Sequence, residues 1–280
     1  MSAVQAPLRE VRGPSAVGVE PRRFFNLTWL IAATDFKLTY FGSVLGYLWS
    51  LVRPLLFFGV LYVVFAVIVS FGKGIQDFPV LLLMNIVLIS FFQEATSASI
   101  PSVVLRENLV RKMQFPRLVI PMATVLNALM HFGLNLIAVF VFMLAYGVKP
   151  RLTWLLFPLV LLPLVLLVIG LAMLLSSLYV RYRDVSPIWG VISQVMFYGS
   201  PIFYTIERVA QHHAARYYLF NPIAVVMQQA RHWMVGGTPG AASWMGGKAW
   251  LLVPAGIVTI CCVLGYVVFS RMAPEIAEQL

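Results

Sequence analysis

The chain has 280 residues, of which 61% are hydrophobic and only 11% charged, with a mean hydropathy of +0.89. Soluble domains carry about 25% charged and 45–50% apolar residues, so no globular core of this length could hide so much apolar surface. Intrinsic disorder is excluded by the same figures, because it requires low hydrophobicity and few aromatic residues. A polytopic membrane protein remains. The net charge of +10 would suggest a nucleic-acid partner on a soluble protein; here it reads as cytoplasmic loops facing anionic lipid, with no nucleic-acid partner expected. Cys261 and Cys262 are adjacent in an apolar run, which suggests buried thiols rather than a disulfide framework or metal site.

Residues 1–23 are polar and basic (Arg9, Arg12, Arg22, Arg23). They lack the short apolar core and small-residue cleavage site of a signal peptide and are expected to form a cytoplasmic tail. The next segment, 24–42, is amphipathic. On a helix, Phe25, Trp29, Ala32, Phe36 and Tyr40 form one stripe, and Leu27, Leu30, Ile31 and Leu38 a second. Asp35 and Lys37 would each cost about 2.5–3.5 kcal/mol at mid-bilayer. The segment therefore reads as a helix lying in the headgroup layer, with a seventh span as the alternative.

Six stretches are long and apolar enough to span a bilayer: 45–70, 79–100, 118–146, 153–179, 185–204 and 249–270. The fifth is short and flanked by Pro187 and Pro201. Turns are marked by Gly72-Lys73-Gly74, by Gly147 to Pro150 and by Gly236 to Gly240. A further helix is expected at 217–235, with Asn221 as N-cap and Pro222 at its first position. Its Gln228, Gln229, Arg231 and His232 argue for a shallow or re-entrant course on the outer side. With both termini inside, the cytoplasmic pieces hold twelve Lys/Arg against seven outside.

No G-x-x-x-x-G-K-[ST] loop, H-E-x-x-H or G-x-S-x-G motif occurs, so neither nucleotide hydrolysis nor an enzyme active site is visible. His131, His212, His213 and His232 are scattered, and the adjacent His212 and His213 read as a solvated loop pair. What remains are polar residues at membrane depth. Asn127, His131 and Asn135, at i, i+4 and i+8, share one face of the third span. They either line a pathway or bond between helices. Glu94 either faces a water-filled cavity or lies at the outer interface, with the second position expected. Arg53, directly before Pro54, either snorkels to headgroups or meets a phosphate there.

Four local patterns then coincide: FGSVLGYLWSLVRPL from Phe41 to Leu55, ENLVRKMQFPR from Glu107 to Arg117, Tyr182-Arg183-Asp184-Val185, and Asn221-Pro222-Ile223. In this order, over about residues 22–270, they resemble the membrane subunit of ABC-2-type exporters of cell-surface polysaccharides, the branch of O-antigen, capsule and teichoic-acid permeases. Arg53 departs from the pattern, which has an uncharged polar residue there. The resemblance implies an all-α, six-span transmembrane domain over 43–272, with an outer re-entrant region at 205–237 and a cytoplasmic tail at 273–280. It implies a homodimer in the bacterial inner membrane, working with two copies of a separate ATPase. ATP and magnesium would be bound by that partner, and no cofactor by this chain. Loop 105–117 would be the coupling element, with Glu107, Asn108, Arg111, Lys112 and Arg117 meeting the ATPase; the alternative is that its basic residues only set topology. A lipid-pyrophosphate-linked glycan would enter near Lys37 and Arg53 and pass Asn127, His131, Asn135, Tyr62 and Tyr198. An ABC-2 exporter of drugs or lipids is the nearest alternative. A membrane-embedded enzyme or assembly factor of envelope-glycan synthesis is disfavoured, because Asp35 and Asp184 are too few and too far apart in sequence.

Overall fold

The computed structural model describes residues 20–41, 46–70, 75, 77–113, 115–207 and 215–274. Most of them are helical and none forms a strand. Residues 1–19 of the expected tail 1–23, residues 275–280 of the expected tail 273–280, the Gly72-Lys73-Gly74 turn and the His212-His213 pair lie outside the described residues. The main helices are α1 (Pro21–Tyr40), α2 (Gly46–Tyr62, continued by a π-helical stretch Val63–Ile68), α3 (Phe78–Ser99), the short α4 (Ser102–Leu105) and α5 (Glu107–Lys112), and α6 (Val119–Ala145). There follow α7 (Phe157–Arg181, entered through a 3-10 turn Leu152–Leu156), α8 (Val185–Tyr198), the short α9 (Ala215–Tyr218), α10 (Pro222–Met234), α11 (Ala241–Trp244) and α12 (Leu252–Met272, entered through Lys248–Leu251).

Among the described residues, five helices are long and apolar enough to cross a membrane, and they coincide with the first four expected spans and the last. The remaining expected span, 185–204, holds a helix of 14 residues. That is about 21 Å of rise, short of the roughly 30 Å hydrocarbon thickness. The chain leaves helical geometry at Gly199 but does not leave the protein: Ser200, Ile202, Phe203 and Thr205 are all buried. Irregular backbone at membrane depth is tolerated only under such cover. Here Asn85 in α3 donates its Nδ2 to the Pro201 carbonyl at 2.9 Å.

α3 is the hub. It is apolar all round and buried nearly all round, from Phe78 to Ile89 without interruption, as befits a helix enclosed by others. α2, α6, α7, α8 and α10 all pack on it. α2, by contrast, has no buried residue in its apolar window and turns Leu56, Val60, Val63 and Val67 outward. The most extensive helix pairing, α7 with α12, brings glycines together: a Cβ on Gly265 would stand 2.2 Å from the Gly170 carbonyl oxygen. Small residues at such crossings let backbones approach in an apolar solvent where hydrophobic drive is absent.

α1 begins at Pro21, three residues inside the expected tail, because proline's fixed φ suits the first helical position. It has the length of a span but not the apolarity. The two stripes read from the sequence are each split by packing against α6. Phe24, Leu27, Thr28, Ile31 and Ala32 turn inward, while Phe25, Trp29, Leu30 and Leu38 stay exposed.

Candidate functional site

Three groups of side chains stand out, and the first is the elbow that joins α4 to α5. Arg106 is the single residue between the two short helices. Val103 and Val110 are buried and anchor them. What the elbow presents outward is mixed: Leu105 is 78% and Met113 58% exposed, beside exposed Asn108, Arg111 and Lys112. Glu107 and Arg111 pair across one helical turn at 3.0 Å. Arg117 does not belong to this face. It is 4% exposed, and its Nη1 donates to the Ala273 carbonyl at the end of α12, 2.6 Å away. The expectation that it meets an ATPase is thereby corrected: a guanidinium buried within the chain tethers α12 and has no free surface. Leu105 and Met113 were missed, since an apolar residue is unremarkable in so apolar a sequence until its exposure is known.

The second group surrounds His131. Its Nδ1 lies 2.5 Å from Glu94 Oε1 on α3, and its ring meets Phe36 and Tyr40 of α1 at centroid distances of 5.3 and 5.6 Å. Glu94 lies toward the end of α3 that runs into α4 and α5. Asn127 and Asn135 share the face of His131, and Asn127 Oδ1, Asn135 Oδ1 and His131 Nε2 are all buried without a hydrogen-bond partner. Neighbouring α1 contributes Asp35, which pairs with Arg106 at the elbow. The helices thus spare the Asp35 carboxylate the cost of meeting lipid alone.

The third is a groove of about 430 Å³ between α2, α3 and α8, lined by Phe57, Gln93, Ser97, Gly190, Ser193, Gln194, Phe197 and Tyr198. Gln93 donates Nε2 to both the carbonyl and the hydroxyl of Ser193, each at 3.2 Å. One turn away, Trp189 donates Nε1 to Thr96 Oγ1 at 3.1 Å. Gln194 is exposed and uncommitted in these bonds. Phe57 and Phe197 face each other across the groove at 6.0 Å. Of the two tyrosines expected on a pathway, Tyr198 lines this groove, whereas Tyr62 packs against Phe58 and the core. Asn127, His131 and Asn135 are not among the lining residues. Lys37 on α1 and Arg53 on α2 are both exposed. Ser193 and Gln194 escaped notice, although adjacent hydroxyl and amide groups on a short apolar helix are a legible signal.

At the opposite end of α3, the polar residues of α10 are consumed internally. Asn221 caps the helix by accepting from the Ile223 amide at 2.9 Å, as the Asn-Pro pair predicts. Arg231 forks onto Glu207 at 2.8 and 3.0 Å, and Gln228 donates to the Pro239 carbonyl. The C-terminal carbonyls of α10 are capped by the lead-in to α7: Thr153 donates to Trp233 and Trp154 to Met234. Among the described residues no group of three or more His, Cys, Asp or Glu side chains could hold a metal.

The model for the ABC-2 type transporter membrane domain matches residues 26–235. The chain belongs to this family. It is a multi-pass ABC-2 permease. Two O-antigen export system permease proteins RfbA of Klebsiella pneumoniae are 29% and 28% identical over 257 residues, covering 91% of this chain and 95% of each relative. The protein of the same name from Myxococcus xanthus is 27% identical over 194 residues, 69% of this chain and 74% of its own length. For an ABC-2 permease, the elbow and the groove are the two surfaces that need a function.

Proposed function

We propose that this ABC-2 permease is the membrane subunit of an ATP-driven exporter of a lipid-linked cell-surface polysaccharide of the O-antigen kind. It acts in the bacterial inner membrane with both termini in the cytoplasm. The observation that carries the reading is the groove of α2, α3 and α8. Hydroxyls and amides (Gln93, Ser97, Ser193, Gln194) gather there with flat rings (Phe57, Phe197, Tyr198), and polar groups among apolar helices are costly unless they meet water, protein or a polar ligand. A glycan offers both complements, hydroxyls for the amides and apolar ring faces for the aromatics. The names of the relatives point to the same substrate class.

Two copies of the permease assemble about a twofold axis, so that two grooves face one passage neither copy encloses alone. A separate ATPase supplies ATP binding and hydrolysis, with its magnesium, and docks on α4 and α5. Leu105 and Met113 supply the apolar centre of that contact; Asn108, Arg111 and Lys112 supply its polar rim. The lipid-linked end enters beside Lys37 and Arg53, whose charges suit a pyrophosphate. The nucleotide cycle of the ATPase gives the export its direction, because it alone couples the two open states to an energy source.

Co-expression with the ATPase encoded beside it tests the reading. The expected result is a stable complex, hydrolysis stimulated by the permease, and restored surface glycan in a strain lacking the native permease. Failure of the two subunits to form a complex overturns it.

A further inference from the structure

We propose that α1 is the arm that carries movement of the α4–α5 elbow to the groove, through the Asp35–Arg106 pair at one end and the ring cluster on His131 at the other. The inference rests on the reading of the elbow as the ATPase docking site.

The contacts form a continuous chain. Arg106, the joint of the elbow, holds Asp35 of α1, and both side chains are about three-quarters buried, 24% and 28% exposed. Ion pairs so placed keep their strength against salt screening and are hard to break singly, since either partner left alone is a buried charge. One residue along α1 from Asp35, the Phe36 ring rests on His131, and Tyr40 rests on it one turn further. His131 holds Glu94 of α3. The residue before Glu94 is Gln93, which grips Ser193 on the other wall of the groove. Any displacement of Arg106 must therefore pull on α1, and α1 bears on the helix pair whose polar contact lies one residue from the groove.

The junction is also poised to move. Apolar packing alone would make a static seam, but α6 carries three buried polar atoms without partners beside it: Asn127 Oδ1, His131 Nε2 and Asn135 Oδ1. Unsatisfied groups of this kind call for a reason in a native structure. A second arrangement of α1, in which some of them find donors, supplies one. Two discrete arrangements are what a mechanical relay needs, because packed interfaces are bistable rather than continuously deformable.

The experiment uses the full complex of permease and partner ATPase in lipid, with Cys261 and Cys262 replaced by alanine. Cysteines are introduced at Ser97 and Gln194, on the two walls of the groove, and carry spin labels for the distance measurement, while export and hydrolysis are measured in complexes that keep Ser97 and Gln194. In the otherwise native complex the label distance is expected to differ between the nucleotide-free state and the ATP–vanadate state. In Asp35→Asn that difference is expected to vanish and export to fall about tenfold or more, while hydrolysis stays within about twofold of the native complex. The charge-exchanged variant Asp35→Arg with Arg106→Asp is expected to regain both the distance change and export. If Asp35→Asn keeps the nucleotide-dependent distance change, the arm is overturned. If Asp35→Asn does not reach the membrane, the exchanged variant decides: folded and responsive supports the arm, folded and unresponsive overturns it. Failure of the native subunits to form a complex overturns the docking reading instead, and a complex with an unresponsive groove overturns the arm alone.

Discussion

Gly265 and Gly170 meet backbone to backbone: a Cβ on Gly265 would lie 2.2 Å from the Gly170 carbonyl oxygen, and one on Gly170 would lie 2.7 Å from the Cys262 amide nitrogen. The neighbouring Cys262 thiol donates to the Leu166 carbonyl at 3.1 Å, so α12 is pinned to α7 over more than a turn. Neither obstacle is a flexible side chain. Gly265→Ala is therefore expected to force the helices apart and cost about 1–3 kcal/mol. Gly256→Ala, on the same helix with nothing within 4 Å, should leave the midpoint unchanged. Thermal unfolding of both variants in detergent checks the contrast.

The bond from Asn85 to Pro201 holds the irregular segment after α8 against the hub helix. Asn85→Ala removes a donor to a carbonyl in a covered segment, and the expected loss is about 1–3 kcal/mol. Asn85→Leu, closer in volume, should lose as much, because volume is not what the Pro201 carbonyl needs. Limited proteolysis between 199 and 207 is expected to accelerate in both variants, and unchanged cleavage would refute the pinning role.

Arg117 and Arg111 are predicted to separate stability from function. Arg117→Ala strips a buried donor from the Ala273 carbonyl and should lower the unfolding midpoint of the permease alone. Arg111→Ala removes an exposed half of an i, i+4 pair, worth about 0.3–0.5 kcal/mol at most. It should leave stability intact yet weaken binding of the partner ATPase. Unfolding and co-purification measured on the same two variants give the answer.

Acid should loosen the contact between Glu207 and α10. Burial raises the Glu207 carboxyl, but backbone and Thr205 hydrogen bonds and the Arg231 guanidinium together outweigh it, so its pKa lies below the ordinary carboxylate value. A carboxyl lowered in the folded state adds stability above its unfolded pKa, about 4.3, and loses that contribution as pH falls through the folded value. Unfolding midpoints are expected to fall between about pH 6 and pH 3.5 in the native chain. Glu207→Gln should start lower at pH 6 and show a shallower fall. Equal slopes in the two proteins would remove Glu207 from the account.

Much of this architecture was readable in advance. Hydropathy located the spans because a bilayer demands about 20 apolar residues whatever the neighbours are. Asn221 and Pro222 located the start of α10 because capping is a local matter of backbone donors and a fixed φ. Periodicity failed on α1, where apolar residues fall on more than one face and the partner helix, not the pattern, selects which is buried. The contact of Glu94 with His131, 37 residues away in the chain, was hidden for a related reason, since no local rule joins the two.

The groove depended still more on three dimensions. Gln93 lies 100 residues before Ser193, and each alone is an ordinary polar residue near a helix end. Composition and local pattern by themselves determined that this chain lives in a membrane and where its five long apolar helices lie among the described residues. Those properties follow from the solvent and from short-range backbone physics. Tertiary structure alone decided that Arg117 is a tether rather than a contact, that Asp35 answers Arg106, and that α2, α3 and α8 together line an open polar-aromatic groove. In an apolar solvent each polar group must find its partner within the protein, and which partner it finds depends on how the helices pack.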